Sequence, residues 1–183
     1  KGEAVLITNS DLMNSGRNSD NPPSYGIGLI TNVPVKKWEI LALGKSVVGL
    51  PLVFPAGSDG ESESKAKPKL RFIYVKDEPR YAVAAQLENG YTVVNVHLSF
   101  VPLVNLYQLW RVKRWLAKMP GKHFLIGDLN LPFNIPVKLS KWKSLVSVAS
   151  YPTWQPKIQF DYILSDNTTS VAVRSIQIHS DIS

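Results

Sequence analysis

A chain of 183 residues, 44% of them apolar, is long enough to bury a core and fits a single domain spanning residues 1–183. It carries 21 Lys and Arg against 14 Asp and Glu, a formal charge of +7, which favours anionic partners such as nucleic acid, phosphorylated small molecules or acidic lipid surfaces. Having no cysteine, it has no disulfide, no thiolate nucleophile and no Cys-ligated zinc, so any metal must be held by oxygen or imidazole.

No apolar run approaches the roughly 20 residues that span a bilayer, and no signal-peptide pattern opens the chain. Localisation is left open, with the cytoplasm favoured. In chain order, the first feature is a polar stretch, Asn9 to Ser24, rich in Gly, Ser, Asn, Asp and Pro. A second such stretch runs from Pro55 to Lys69, and both read as exposed loops within the domain. Between them, "VVGLPLVFPAG" from Val47 reads as an apolar strand that is either buried or membrane-facing.

Short Val-, Ile-, Tyr- and Phe-rich runs predict strands: "YGIGLITNV" from Tyr25, "LRFIYV" from Leu70, "YAVAAQLE" from Tyr81 and "YTVVNVHLSF" from Tyr91. Three more follow, "HFLIGDL" from His123, "FDYILS" from Phe160 and "SVAVRSIQIH" from Ser170. Asn89-Gly90 predicts a hairpin turn between two of them, so the sheet system is antiparallel or mixed. One segment has helical spacing instead. Val104, Leu106, Leu109, Trp110, Val112, Trp115 and Leu116 form an apolar face, with Arg111, Lys113, Arg114 and Lys118 opposite. Asn105 reads as its cap, Met119-Pro120-Gly121 as its end, the two Trp as core and the basic face as solvated.

Three strands end in polar groups. Asn95 and His97 close the first, Asp128 and Asn130 the second, and Asp161 stands alone in the third. Converging strand ends are where layered folds build sites. Taken as chemistry, His, Asp, Asn and Asp without Cys suit a hard divalent cation, Mg²⁺ or Mn²⁺, and a phosphate. Carboxylates can orient or deprotonate a water, the amide can hydrogen-bond a phosphate oxygen, and a protonated imidazole can stabilise a phosphoryl transition state. Each has a bland alternative as well. His97 could be an ordinary packed histidine, and Asp128 with Asn130 an Asx turn that ends a strand. Asp161 is harder to explain blandly, because a carboxylate unpaired inside an apolar strand is costly. His123 and His179 read as structural, and "KLSKWKSL" is too short to argue for a generic nucleic-acid binder.

"VVNVHLS", "FLIGDLNLP" and "TWQPKIQFDYIL" together resemble the endonuclease/exonuclease/phosphatase superfamily, the deoxyribonuclease I-like metal-dependent phosphoesterases. Asp128 stands 31 positions after His97, and Asp161 33 positions after Asp128. The GD-x-N-x-P and Q-h-DYI signatures are fairly specific, and "YGIGLITNVPV" and "KDEPRYAVAAQL" extend the resemblance over Tyr25 to about Ser183. The resemblance implies an α/β (α+β) layered sandwich of two mixed, mostly antiparallel sheets flanked by helices. It further implies a monomeric hydrolase acting on a phosphodiester or phosphomonoester with Mg²⁺ or Mn²⁺. DNA, RNA, an inositol phosphate or a phospholipid would each be a substrate of that kind, with no stable protein partner.

By that resemblance Asp128 matches the aspartate that orients or deprotonates the attacking water, and Asn130 the asparagine at the scissile phosphate, with both near the metal. His97 matches the transition-state histidine and Asp161 the supporting acid. Arg80 and Asn95 are candidates for substrate binding, although Arg80 reads equally as a surface ion pair with Asp77 or Glu78. The chain departs from the family pattern in two places. The strand with a metal-site Asn and the strand ending in Gln-Glu do not precede Tyr25, and Glu3 is a poor substitute. Where the family has Ser-Asp-His, Asp181 is followed by Ile182, which makes Ser183 the expected start of that motif in a longer chain. A catalytically inactive binding or scaffold module of the same fold is the alternative.

Overall fold

The computed structural model describes residues 2–8, 26–56, 69–152 and 155–166. Most of both polar stretches, the run from Ser170, His179 and the chain end lie outside them.

The described chain is α+β. Its strands are β1 (Glu3–Thr8), β2 (Gly26–Thr31), β3 (Val35–Gly44), β4 (Leu50–Ala56), β5 (Lys69–Val75), β6 (Arg80–Leu87) and β7 (Tyr91–His97). Helix α1 (Val104–Leu116), β8 (Lys122–Asp128), α2 (Ile135–Ser140), β9 (Lys143–Ser144) and β10 (Asp161–Ser165) follow. A six-stranded sheet runs β3-β6-β7-β8-β10-β9, and two antiparallel ladders, β1-β2 and β4-β5, stand beside it. The large sheet is mixed. Only the β7–β8 junction is parallel among its described pairings, because α1 carries the chain back across the sheet between those two strands.

Alternation along the central strands divides the core in two. Ala82, Ala84, Val94, Val96 and Leu125 pack with Leu109, Val112 and Leu116 of α1. On the opposite face Val83, Ala85 and Leu87 meet Leu29, Val5 and Ile27 of the β1-β2 ladder. β6 is therefore buried on both faces, which explains its near-continuous run of small and branched apolar residues. Of the two sheets expected, one is the six-stranded sheet, while its second cover among the described residues is the two-stranded β1-β2 ladder.

Asn89-Gly90 makes the expected turn, with Gly90 at φ 84° and its N–H on Leu87 O. Helix α1 departs from expectation at its start. It begins after Leu103 at φ 67°, and Asn105 lies inside it, buried, rather than capping it. Trp115 packs against the core, but Trp110 is half exposed and does not belong to it.

Candidate functional site

The register of three adjacent strands assembles the site. His97 pairs with Asp128 across β7 and β8, and Asp128 pairs with Asp161 across β8 and β10. The three residues therefore form one row at the end of the sheet. Opposed residues in neighbouring strands project from the same face, so the row presents its side chains together. His97 Nε2 lies 3.8 Å from Asp128 Oδ2.

Past Asp128 the chain turns sharply. The Asn130 N–H donates to Asp128 Oδ1 at 2.8 Å, and Asn130 adopts φ 48°. Here the Asx turn and the candidate site are the same structure, because the turn aims Asn130 into the cleft. Asn130 Nδ2 donates to Leu98 O at 2.9 Å, which ties it to the end of the His97 strand. Asn105 Nδ2 in turn donates to Asn130 O at 2.9 Å, so helix α1 clamps the same turn.

His97, Asp128 and Asn130 line a cavity of about 960 Å³ with Arg80, Glu78 and Asn105. Its remaining walls are largely apolar, including Leu52, Phe100, Leu106, Leu131, Ile135 and Phe160. Arg80 is only 6% exposed, so the ion pair expected with Asp77 is present but buried and not at the surface. Its Nη2 stands 3.6 Å from Asp77 Oδ1, and Asp77 Oδ2 accepts the Ser46 N–H and the Ser99 hydroxyl. Arg80 Nε and Glu78 Oε2 have no hydrogen-bond partner among the described residues. Both residues line the cavity wall.

Electrostatics separate the two facing groups. Burial, and then the Arg80 charge, push His97 down to about 4, against the smaller opposing pull of Asp161 and Asp77. The neutral form of His97 is thus the favoured one at pH 7 in the free protein. Burial pushes the Asp128 carboxyl up, and Asp161 adds to that, while the Asn130 N–H and Arg80 oppose it. A carboxylate held this way is a better base than one in water.

Two further expectations change. Asp161 is exposed, so the cost of a buried carboxylate does not explain it; it acts on the row through its field. Asn95, expected to bind substrate, donates to Gly28 O at 2.7 Å, which ties β7 to β2, and is not among the residues that line the cavity. His123 is structural as expected, held between Asp166 and Met119 O and stacked on Trp142. Glu3 accepts the Val35 N–H. Sequence reasoning missed Asn105, whose signal was a polar residue between the apolar positions Val104 and Leu106, and gave Glu78 only an ion-pair role.

The donor set at the cleft, Asp128 and Asn130, with Asp161 opposite Asp128 on the neighbouring strand, is all oxygen, which is the chemistry a hard cation takes. Among the described residues no group of three His, Cys, Asp or Glu side chains is gathered to hold an ion. Among them, too, no helix is long and apolar enough to cross a membrane.

No family model and no curated protein sequence matches the chain. Among solved structures it is similar to a mannosyl-6-phosphatase of Bacteroides thetaiotaomicron VPI-5482, with 10% identity and a TM-score of 0.51. The likeness covers 90% of this chain and 62% of that one, and at this identity it is a likeness of fold. The chain thus spans less than two thirds of that structure's length.

Proposed function

We propose that the chain hydrolyses a phosphoester by in-line attack of water, as a deoxyribonuclease I-like metal-dependent hydrolase of the nuclease or phosphatase type. The observation that carries this reading is the row His97–Asp128–Asp161, two of whose members, His97 and Asp128, line one cavity with Asn130 and Arg80. The fold neighbour's name, a phosphatase, agrees with it.

Each residue has work that its surroundings suit. Asp128, raised by burial, takes the proton of the attacking water. Neutral His97 offers an N–H to a non-bridging oxygen, and phosphate arriving beside it favours its protonation as charge builds. Arg80 brings a buried, fixed positive charge whose Nε has no hydrogen-bond partner among the described residues. Asn130 is locked by Leu98 O and the Asx turn, which presents its amide to the phosphate without loss of side-chain entropy on binding.

Mg²⁺ or Mn²⁺ would be held by Asp128 and Asn130, with water and substrate oxygens making up its shell. Bound there, the ion would supply positive charge to polarise the phosphoryl group.

The test is turnover of a generic phosphodiester and a generic phosphomonoester with Mn²⁺, with Mg²⁺ and with chelator, for wild type and Asp128→Ala. Loss of about 10²- to 10⁴-fold in the variant is expected. Undiminished turnover by Asp128→Ala would remove Asp128 from the reaction. A folded wild type that turns over neither substrate would leave the non-catalytic binding module.

A further inference from the structure

We infer that the face formed by α1 and α2 around the cavity mouth docks on an anionic lipid bilayer. Three features meet there. Leu103, Tyr107 and Trp110 follow one another along one side of α1 and are 74%, 57% and 50% exposed. Phe133 and Leu139, before and within α2, are 76% and 52% exposed. Trp110 stacks on Tyr107 and shares a cavity wall with Leu139, and Leu139 shares another with Leu103, so large exposed apolar side chains adjoin across the two helices, as at interaction sites.

The second feature is charge. From Asn89 to Phe160 the sequence holds nine Lys and Arg and a single acid, Asp128. Arg111 and Arg114 stand among the exposed apolar residues of α1, and Lys138 lies beside Leu139 on α2, while Lys113 donates to Ser140 O at 2.8 Å and ties the two helices together. Apolar and basic residues interleaved on surface helices suit a membrane surface bearing negative headgroups.

The third feature is continuity. A second cavity of about 500 Å³ lies between Trp110, Lys113, Arg114 and Leu139, and it shares Leu106 and Leu139 with the walls of the His97–Asp128 cavity. Leu103 also lines that larger cavity. A chain seated by this face opens the candidate site toward the headgroup layer.

The aromatic geometry favours a bilayer over a single-stranded nucleic acid. Bases need open ring faces. Here Tyr107 and Trp110 stack on each other at 5.7 Å, Arg114 covers the Trp110 ring at 4.8 Å, and Arg111 lies over Tyr107 at 6.0 Å. Their faces are already occupied, while their edges and the guanidinium groups remain for an interface, where Trp, Tyr and Arg are at home.

The experiment is flotation of the chain with vesicles of phosphatidylcholine alone and of phosphatidylcholine mixed with phosphatidylserine. It is run for wild type, Arg111→Gln/Arg114→Gln, Trp110→Gln and Asp128→Asn, each checked for native circular dichroism. Wild type is expected to prefer the anionic vesicles by about thirtyfold or more, and the double Arg variant to lose about thirtyfold of that preference. Trp110→Gln is expected to weaken binding severalfold. Equal partition into both vesicles, no flotation, or indifference to the Arg substitutions overturns the inference. So does binding of a single-stranded oligonucleotide that the Arg substitutions abolish while vesicles are ignored. Asp128→Asn is expected to float as wild type does while losing turnover, whereas docking by a wild type that hydrolyses no phosphoester would overturn the phosphoesterase reading and leave this one standing.

Discussion

His97 Nε2 and Asp128 Oδ2 face each other at 3.8 Å across the parallel junction of β7 and β8. That separation is too long for a hydrogen bond and short enough for each to feel the other's charge. With His97 neutral and Asp128 raised by burial, the pair is not a settled ion pair. It is an arrangement in which a base and a donor stand side by side, and its consequences can be measured.

Asp128→Asn keeps an oxygen to accept the Asn130 N–H and removes a charge that burial disfavours. Stability is therefore expected to stay within about 1 kcal/mol of wild type or to rise. Urea denaturation checks this. A large loss of stability would mean that the carboxylate charge holds the turn together and that its role is structural.

His97 makes stability depend on pH with a definite sign. Its folded value, about 4, lies below its ordinary value of 6.5, so the unfolded chain binds this proton more readily than the folded one. The resulting destabilisation is absent above pH 6.5, grows as the pH falls, and is complete near pH 4. Asp128 pulls the other way over the acid part of this range, because a raised carboxyl is relieved by protonation. The His97 part is isolated by comparison with His97→Gln. Relative to the variant, wild type is expected to lose denaturant midpoint steadily from pH 6.5 to 4. Parallel curves would show that His97 keeps its ordinary acidity in the fold.

Asp77 and Arg80 are buried together beneath the cavity. Asp77→Ala strips the acceptor from the Ser46 N–H and the Ser99 hydroxyl and leaves Arg80 without its counter-charge. Breaking one partner of a buried pair costs about 3–5 kcal/mol. Replacing both, as Asp77→Ala/Arg80→Met, is expected to cost less than the sum of the two single changes. Additive losses in urea denaturation would show that the 3.6 Å contact carries no coupling.

Much of the site could be read from the chain, because its elements are local. Asp128 and Asn130 follow an apolar strand and a glycine, and His97 ends a clean alternation, so their place at strand ends was legible. Strand β3 was not, because register shifts between Val35 and Lys37 and between Ala42 and Gly44 break the two-residue period. Helix α2, six residues with a proline in its first turn, is too short to show helical spacing. The exposure of Asp161 has a non-local cause. Its strand is covered on one side only by the two-residue β9, which pairs with Leu164 and Ser165 and leaves the Asp161 end open. Nor could spacing show that Asn105 serves Asn130, since that bond joins residues on α1 to the turn after β8.

Gly127 is where backbone geometry and the site meet. It has φ 117°, a conformation that side chains rarely adopt, and a Cβ there would stand 2.0 Å from Val96 O. Val96 is its register partner across the parallel junction, one residue before His97, as Gly127 is one before Asp128. Gly127→Ala cannot be relieved by turning a side chain, because the obstacle is backbone. The strands must move apart at the step that holds His97 opposite Asp128. The expected cost is about 3 kcal/mol or more, from the strained φ and the opened ladder together. Any folded fraction should lose turnover far beyond its loss of stability, since a displacement near 1 Å is worth about 10²-fold in a reaction that depends on alignment. Denaturant midpoint and turnover per folded molecule, measured on the same preparation, separate the two effects. Full activity in a merely destabilised variant would show that the His97–Asp128 separation tolerates more slack than the row implies.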